Sequence, residues 1–228
     1  DRLEWGGIFK LALAMEGASM KRMTHGLVWM LIVILGIAAV SWAQSLEALA
    51  KPLEGRSMRA GSTHKLPNGE GDPDSNGDNS NVAPGATKVL LDTKGPGEIT
   101  HIWMTFLGPE PHPWAKEGAA NHQEMLLRMY WDGRPQPDVE APVGEFFGCG
   151  FGMRMEVKSL PVIVDDGDAY NCFWRMPFRE GARIELINQS DKDIALLYYN
   201  IDWIQKPVAE DTPYFCAQYN QSFPAKKG

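Results

Sequence analysis

The 228-residue chain is poor in cysteine: it has three, Cys149, Cys172 and Cys216, and no CxxC pair. No Cys/His cluster has the spacing of a zinc finger, and the spacing of His112 and His122 matches no known set of metal ligands. We therefore predict no metal site. Burial as small hydrophobic side chains is the favoured interpretation of the cysteines. One disulfide with a free thiol left over is the alternative in an exported protein.

The chain also lacks the common catalytic signatures: GxSxG, HExxH, the P-loop and the dinucleotide fingerprint. The glycine-rich segment GCGFG (148–152) has neither the strand-to-helix context nor the following Lys-Ser/Thr of a phosphate loop, so we predict no cofactor. Basic residues are outnumbered by acidic ones, 22 against 29, and the net charge is −7. This balance argues against binding to nucleic acid or to an anionic membrane surface.

The first 43 residues are predicted to lie outside the folded domain. Residues 1–19 have no clear role and are interpreted as an extension of the gene model. Residues 20–43 are predicted to form a signal peptide, because they have a basic start, a 15-residue apolar run over 26–40, and small residues at Ser41 and Ala43. A membrane anchor is the alternative, but the run is shorter than the roughly 20 residues that span a bilayer. We predict an exported protein, periplasmic or extracellular, without a membrane contact after cleavage.

The remainder alternates short β-type runs with turns. Residues 44–86 are rich in Gly, Asn, Asp, Ser and Pro and are predicted to be a linker and leading loop. Residues 87–205 show short strands punctuated by Gly, Pro and Asp turns, the pattern of an antiparallel sandwich or barrel. Residues 206–228 are interrupted by proline and are expected to begin the continuation of a longer protein.

Two carboxylates in the central stretch could serve catalysis. Glu140 and Glu145 lie five residues apart, and paired carboxylates are what glycoside hydrolysis needs. Phe146, Phe147 or Trp174 could pack on a sugar face. Solvated turn carboxylates, plentiful in any acidic protein, are the alternative and the favoured interpretation.

Three further side chains have a structural and a functional interpretation. In the strand after Gly97, Ile99, His101 and Trp103 are expected on one face, and a satisfied structural histidine is favoured for His101. Arg175 and Arg179 could recognise carboxylates or sugar hydroxyls. Structural ion pairs are favoured for both arginines.

Six ordered segments carry a family resemblance. They are GPGEITHIWMTF (95–106), LLRMYWDG (126–133), PDVEAPVGEFFG (137–148), SLPV (159–162), YNCFWRMPF (170–178) and YYNIDW (198–203). With the upstream NGD (76–78), they resemble the domain-of-unknown-function 2961 family, also classed as glycoside hydrolase family 172. The resemblance covers roughly residues 56–203.

The resemblance implies an all-β fold of two tandem jelly-roll sandwiches, assembled into trimers or hexamers. It also implies a retaining, two-glutamate glycosidase acting on fructofuranosides or arabinofuranosides, including difructose dianhydrides. The family's glutamates lie in the second jelly roll near a GTGxEDYF-like motif, which this sequence does not contain. We therefore expect the N-terminal portion of such an enzyme, inactive alone. A non-catalytic carbohydrate-binding or assembly module with a jelly-roll fold is the alternative.

Glu140 and Glu145 match the family's VEAPxGDFFG-like segment and not its catalytic pair, so both remain weak catalytic candidates. Glu145 stands where the family usually has Asp. The positions that match the family motifs give a set of predicted substrate-binding residues: Asn76, Asp78, Trp103, Phe146, Phe147 and Arg179.

Overall fold

A computed structural model describes residues 54–66, 70 and 77–222 of the chain. The predictions for residues 1–19 and 20–43, and for Asn76, lie outside these ranges. Across the part that is described, no helix is long and apolar enough to cross a membrane.

The larger of two β-sheets has eight strands. They are β1 (Arg56–Gly61), β2 (Ser80–Val82), β4 (Gly97–Thr105), β7 (Val157–Lys158), β8 (Val162–Asp165), β9 (Ala169–Cys172), β10 (Met176–Phe178) and β12 (Ile194–Gln205). The main path runs β1-β12-β4-β9-β8-β7, while β10 pairs with β4 and β2 with β12. All of these pairs are antiparallel.

The smaller sheet has five strands in the order β13-β6-β5-β11-β3. They are β3 (Thr87–Lys94), β5 (Met125–Trp131), β6 (Val139–Pro142), β11 (Gly181–Asn188) and β13 (Ala217–Gln218). Only the β13–β6 pair of this sheet is parallel. A 3-10 turn (His122–Glu124) precedes β5, and a one-turn helix, α1 (Val143–Phe146), follows β6.

One hydrophobic core lies between the sheets, because strands of both present alternate apolar residues inward. In β11 and β5 the alternation is strict, with every second residue buried. Burial of this apolar surface drives the packing of the two layers. The predicted all-β sandwich is thus confirmed; the jelly-roll connectivity stays a prediction.

The sandwich begins earlier than the predicted boundary at residue 87. The predicted loop 44–86 contains two strands that both pair with β12. Strand β1 does so along its whole length, and β2 is a short second partner. The sequence of β1, RSMRAG, hides its strand because only Met58 and Ala60 pack on the core, while the alternate side chains stay in solvent. A strand at a sheet edge needs few hydrophobic residues, so the polar composition of β1 alone predicts a loop.

A β-bulge in β4 changes the predicted faces of that strand. Asp202 pairs with His101 but the next residue, Trp203, pairs with Ile99, so one extra residue is inserted in β4. Ile99 therefore points into the core, where it is fully buried, while His101 and Trp103 share the outer face. The expected sharing of a face by His101 and Trp103 is confirmed, and that by Ile99 is wrong.

Candidate functional site

The turn after β6 is shaped by three small or rigid residues. Pro142 caps α1 with extended dihedral angles, and Gly148, at φ 80°, leaves the helix through the left-handed region that glycine adopts without strain. Gly144 packs so closely that a Cβ atom there would lie 2.6 Å from the Cys149 carbonyl oxygen and 2.9 Å from the His122 ring. This tight turn points Glu145 and Phe146 toward the end of the sandwich.

Glu145 and Phe146 line an aromatic pocket of about 260 Å³. Its lining residues, which we call the Glu145 pocket, are Ala141, Glu145, Phe146, Trp174, Phe215, Ala217, Gln218 and Tyr219. The Trp174 and Phe215 rings are 5.8 Å apart, and the Phe146 and Phe215 rings 6.5 Å apart. Trp174 is 47% exposed, so an indole face remains open to a ligand.

The Glu145 carboxylate has one satisfied and one unsatisfied oxygen. Oε1 accepts a hydrogen bond from Gln123 Nε2 at 3.2 Å. Oε2 is buried and has no hydrogen-bond partner among the described residues. An unpaired buried carboxylate oxygen is costly, and a ligand that donates a hydrogen bond would remove that cost. Glu145 is also the only acidic residue among the described residues that line this pocket.

Glu140, the other weak catalytic candidate, lies in a different cavity. It lines a neighbouring groove of about 380 Å³ together with Arg128, Gln123 and Tyr219. Its Oε2 accepts a hydrogen bond from Arg128 Nε at 2.6 Å. Glu140 and Glu145 are thus close in sequence, but the structure places them in two different cavities.

Of the predicted substrate-binding residues within the described ranges, Phe146 lies in the Glu145 pocket, whereas Asp78, Trp103, Phe147 and Arg179 do not. Phe147 is 0% exposed and packs edge-on against Tyr170, so it is a core residue with no surface for a ligand. Trp103 lies on the outer face of the larger sheet, and Asp78 is exposed on the loop before β2.

Arg179 holds the C-terminal segment 206–222 instead of a ligand. Its Nη2 donates to the carbonyl oxygens of Ala209, Glu210 and Thr212 at 2.9, 2.7 and 2.6 Å. Its guanidinium also lies over the Tyr214 ring, 4.7 Å from the centroid. The predicted structural ion pair is found for Arg175, with Glu98 at 2.6 Å. Arg179 also has a structural role, but it contacts backbone carbonyls rather than the predicted ion-pair partner.

Segment 206–222, which we call the strap, is fixed at its middle by an aspartate. The Tyr214 hydroxyl donates to Asp132 Oδ2, while Oδ1 accepts from the backbone N–H groups of Arg179, Glu180 and Gly181. Burial by itself would raise the pKa of Asp132, but these hydrogen bonds outweigh it and leave that pKa below its usual value.

The strap supplies the site residues that sequence reasoning missed. Phe215, Ala217, Gln218 and Tyr219, half of the pocket lining, all belong to it. The segment is anchored beside the pocket by Trp131 Nε1, which donates to the Phe215 carbonyl oxygen at 2.7 Å. The aromatic spacing of YFCAQY was the one available signal, because docking of the strap depends on contacts with residues 30 to 84 positions away in sequence.

Beneath α1, a buried histidine supports the turn that carries Glu145. His122 is 2% exposed, and its Nδ1 lies 2.7 Å from the Tyr170 hydroxyl. Its Nε2 is buried without a hydrogen-bond partner in the described part of the chain. Burial, assisted by the nearby positive charge of Arg154, lowers the pKa of His122 to about 4, so the ring is neutral at pH 7.

The three cysteines are all free thiols. Cys149 and Cys172 are buried, and burial raises their pKa values, that of Cys172 to about 11. The favoured interpretation as buried small hydrophobes is confirmed for these two and wrong for Cys216, which is exposed. Within residues 54–66, 70 and 77–222, no group of three or more His, Cys, Asp or Glu side chains could hold a metal ion.

Comparison with known proteins identifies the family. No curated protein matches the chain. The family model described as GH172 domain-like matches residues 73–201, which is more than half of the chain and includes β2 to β11 and most of β12. The chain therefore belongs to the GH172 domain-like family, the glycoside hydrolase family that its sequence motifs resemble.

Proposed function

We propose that this chain is the sugar-binding portion of an exported glycoside hydrolase that acts on fructofuranosides or arabinofuranosides, including difructose dianhydrides. The observation that carries the proposal is that Glu145, whose Oε2 atom is buried without a hydrogen-bond partner among the described residues, lines an aromatic pocket. Family membership supports the glycoside class of ligand. A jelly-roll connectivity and a trimer or hexamer are parts of the same proposal.

In this proposal, Glu145 accepts hydrogen bonds from sugar hydroxyls. Trp174 and Phe146 pack against the apolar face of the ring, and Gln123 holds the carboxylate in place. Such a combination of aromatic faces and a few placed polar groups is typical of small-molecule sites. A single carboxylate orients a sugar but does not complete a two-carboxylate reaction.

The two catalytic glutamates of a retaining mechanism are proposed to come from outside the described residues. Retaining enzymes place their carboxyl groups roughly 5–5.5 Å apart across one glycosidic bond. Glu140 is paired with Arg128 in the neighbouring groove, so it does not face Glu145 across the pocket. A glutamate pair carried by another segment or another copy would complete the site.

A non-catalytic carbohydrate-binding or assembly module is the second candidate function. It is favoured by a different observation, that Glu145 is the single acidic residue among the described residues of the pocket lining. The two candidates agree on sugar binding and differ on hydrolysis.

The test compares binding and turnover. Aryl α-fructofuranosides and aryl α- and β-arabinofuranosides are offered to this chain and to the complete gene product that contains it. We expect both proteins to bind one class of furanoside and only the complete product to hydrolyse it. Binding without hydrolysis by either protein favours the module. Hydrolysis by this chain, lost in Glu140→Gln and in Glu145→Gln, would overturn the assignment of catalysis to other residues, and failure of both proteins to bind any furanoside would overturn the proposal.

A further inference from the structure

The outer face of the larger sheet carries a row of polar and aromatic side chains. Trp103 on β4 pairs directly with Asn200 on β12 on one side and with Asn171 on β9 on the other. Because directly opposed residues of neighbouring strands point to the same side of a sheet, the three side chains form one row. All three are half-buried, so part of each is open to solvent.

The charges on this face neutralise one another. Arg59 on β1 donates to both carboxylate oxygens of Asp202, at 2.6 and 3.2 Å. The His101 ring lies between Asp202 Oδ2, at 3.3 Å, and Asn171 Oδ1, at 3.1 Å. Burial alone would raise the pKa of Asp202, but Arg59 and His101 lower it below its usual value, so the carboxylate stays ionised and paired. The Asn171 amide is also engaged, since its Nδ2 donates to the Ala169 carbonyl oxygen at 3.2 Å. The face therefore presents the Asn200 amide and aromatic rings rather than unpaired charge.

This row continues toward the Glu145 pocket. The Phe173 ring stacks on His101 with centroids 4.6 Å apart and planes 9° apart, and it remains 41% exposed. Trp174, the next residue, lines the Glu145 pocket. The stacked pair of His101 and Phe173 is therefore flanked in sequence by Trp103, two residues after His101 on β4, and by Trp174, the residue that follows Phe173.

The chemistry of the face selects the class of ligand. Amide side chains both donate and accept hydrogen bonds, and aromatic faces cover the apolar side of a ring. An apolar protein partner would remove the Arg59–Asp202 pair and the amides from water, which is costly. A strongly charged ligand would find no unpaired charge of the opposite sign on this row. A neutral, hydroxyl-rich ligand fits these groups.

We propose that the outer face of the larger sheet is a second carbohydrate contact. It binds the units of a furanoside oligosaccharide that follow the unit held in the Glu145 pocket. The inference rests on the proposed function and deepens it, because it makes an oligosaccharide, rather than a disaccharide, the preferred ligand.

The test measures binding by isothermal titration calorimetry. Disaccharides and pentasaccharides of fructofuranose and of arabinofuranose are titrated into the wild-type chain, Trp103→Ala, Trp103→Phe and Asn200→Ala. Trp114→Ala is the matched control, since Trp114 is a tryptophan 74% exposed on the loop after β4 and outside every strand of the larger sheet. The Asn200→Ala variant keeps the test open if Trp103→Ala fails to fold.

We expect the wild-type chain to bind the pentasaccharide more tightly than the disaccharide. Trp103→Ala should weaken pentasaccharide binding about tenfold, an ordinary loss for one aromatic contact. It should leave disaccharide binding unchanged, while Trp103→Phe restores most of the loss. Asn200→Ala should also weaken only pentasaccharide binding, and Trp114→Ala should change neither.

Three results would overturn the inference while leaving the proposed function in place. The first is equal affinity for both sugar lengths in the wild-type chain. The second is an equal loss for both lengths in Trp103→Ala, because Trp103 would then belong to the pocket. The third is a drop in sedimentation coefficient in Trp103→Ala, which would make the face an interface between copies. Failure of the wild-type chain to bind either length would instead overturn the proposed function, and this inference with it.

Discussion

Two carboxylates only five residues apart in sequence have opposite surroundings. Glu140 lies on β6 directly opposite Arg128 on β5, and the pair closes at 2.6 Å. Glu145 lies three residues beyond Pro142 on α1, where its Oε2 is buried without a partner among the described residues. The groove around Glu140 is polar, whereas four aromatic residues line the pocket around Glu145.

The difference follows from what packs against each carboxylate. A strand residue meets its cross-strand neighbour, so Glu140 is neutralised within the sheet. Glu145 lies on α1, outside the sheet, where the strap residues Phe215, Ala217, Gln218 and Tyr219 line the pocket with it. A carboxylate already paired by the sheet is part of the fold, and one left unpaired in an apolar pocket is available to a ligand.

Releasing the strap is expected to have the largest effect on the Glu145 pocket. Asp132→Ala removes the acceptor of three backbone N–H groups and of the Tyr214 hydroxyl, and it puts alanine at φ 55°. Since four donors, three of them part-buried, are left without an acceptor, we expect a loss of about 3 kcal/mol in the free energy of unfolding. Furanoside binding should be lost too. Urea denaturation and calorimetry measure the two effects.

Asp132→Asn is the matched control for this variant. Asparagine tolerates a positive φ and keeps Oδ1 as an acceptor, so it should lose much less stability than alanine. An Asp132→Ala protein within about 0.5 kcal/mol of wild type, the range of ordinary surface changes, would show that the strap does not depend on Asp132.

Acid should destabilise the fold around the turn that carries Glu145, because it protonates the buried His122. Its pKa is about 4 in the folded chain, below the ordinary value of 6.5, so the unfolded chain binds more protons in this range. The contribution of neutral His122 to the free energy of unfolding is fully present above pH 6.5 and is lost as the pH falls toward 4. Between pH 7 and pH 5 we expect a loss of about 2 kcal/mol, measured by urea denaturation at each pH.

The control for this pH dependence is a second histidine variant. His122→Gln should flatten the slope between pH 7 and pH 5, whereas His112→Gln, on an exposed loop, should leave it as in wild type. Equal slopes in wild type and His122→Gln would contradict the assignment of the acid sensitivity to His122.

Much of the sandwich could be predicted from sequence because its inner strands alternate with period two. ARIELIN (182–188) is an example, with every second residue buried in β11. The bulge at Ile99 in β4 could not be predicted, since the extra residue shows only in the pairing with β12. Strand β1 was missed because an edge strand with two core contacts resembles a polar loop.

The candidate site was predicted only in its local part. Glu145, Phe146 and Trp174 stood out as acidic and aromatic residues next to turns, and the structure places all three in one pocket. Phe147, adjacent to Phe146, was misassigned because the direction of a side chain leaving a one-turn helix depends on the tertiary packing of that helix. The strap residue Phe215 lies about 70 residues further along the chain, beyond any local pattern.

Neutralising the unpaired carboxylate of Glu145 tests its role more directly. Glu145→Gln keeps the size of the side chain but replaces a charged acceptor by a neutral amide. Hydrogen bonds to charged groups exceed neutral ones by about 1–1.5 kcal/mol, so furanoside affinity should fall about tenfold. The free energy of unfolding should not fall, because a buried unpaired charge is removed. Calorimetry with the bound furanoside and urea denaturation check the two expectations.

The smallest effect is expected from the same substitution at the paired carboxylate. Glu140→Gln breaks an ion pair whose side chains are both about one-third exposed, and such pairs contribute about 0–1 kcal/mol. The loss in unfolding free energy should shrink further in high salt, and furanoside affinity should match wild type. If Glu140→Gln instead weakened binding as much as Glu145→Gln, one ligand would contact both cavities. The two glutamates would then have to be reconsidered as a catalytic pair, and the Arg128 contact would be a resting state that the ligand displaces.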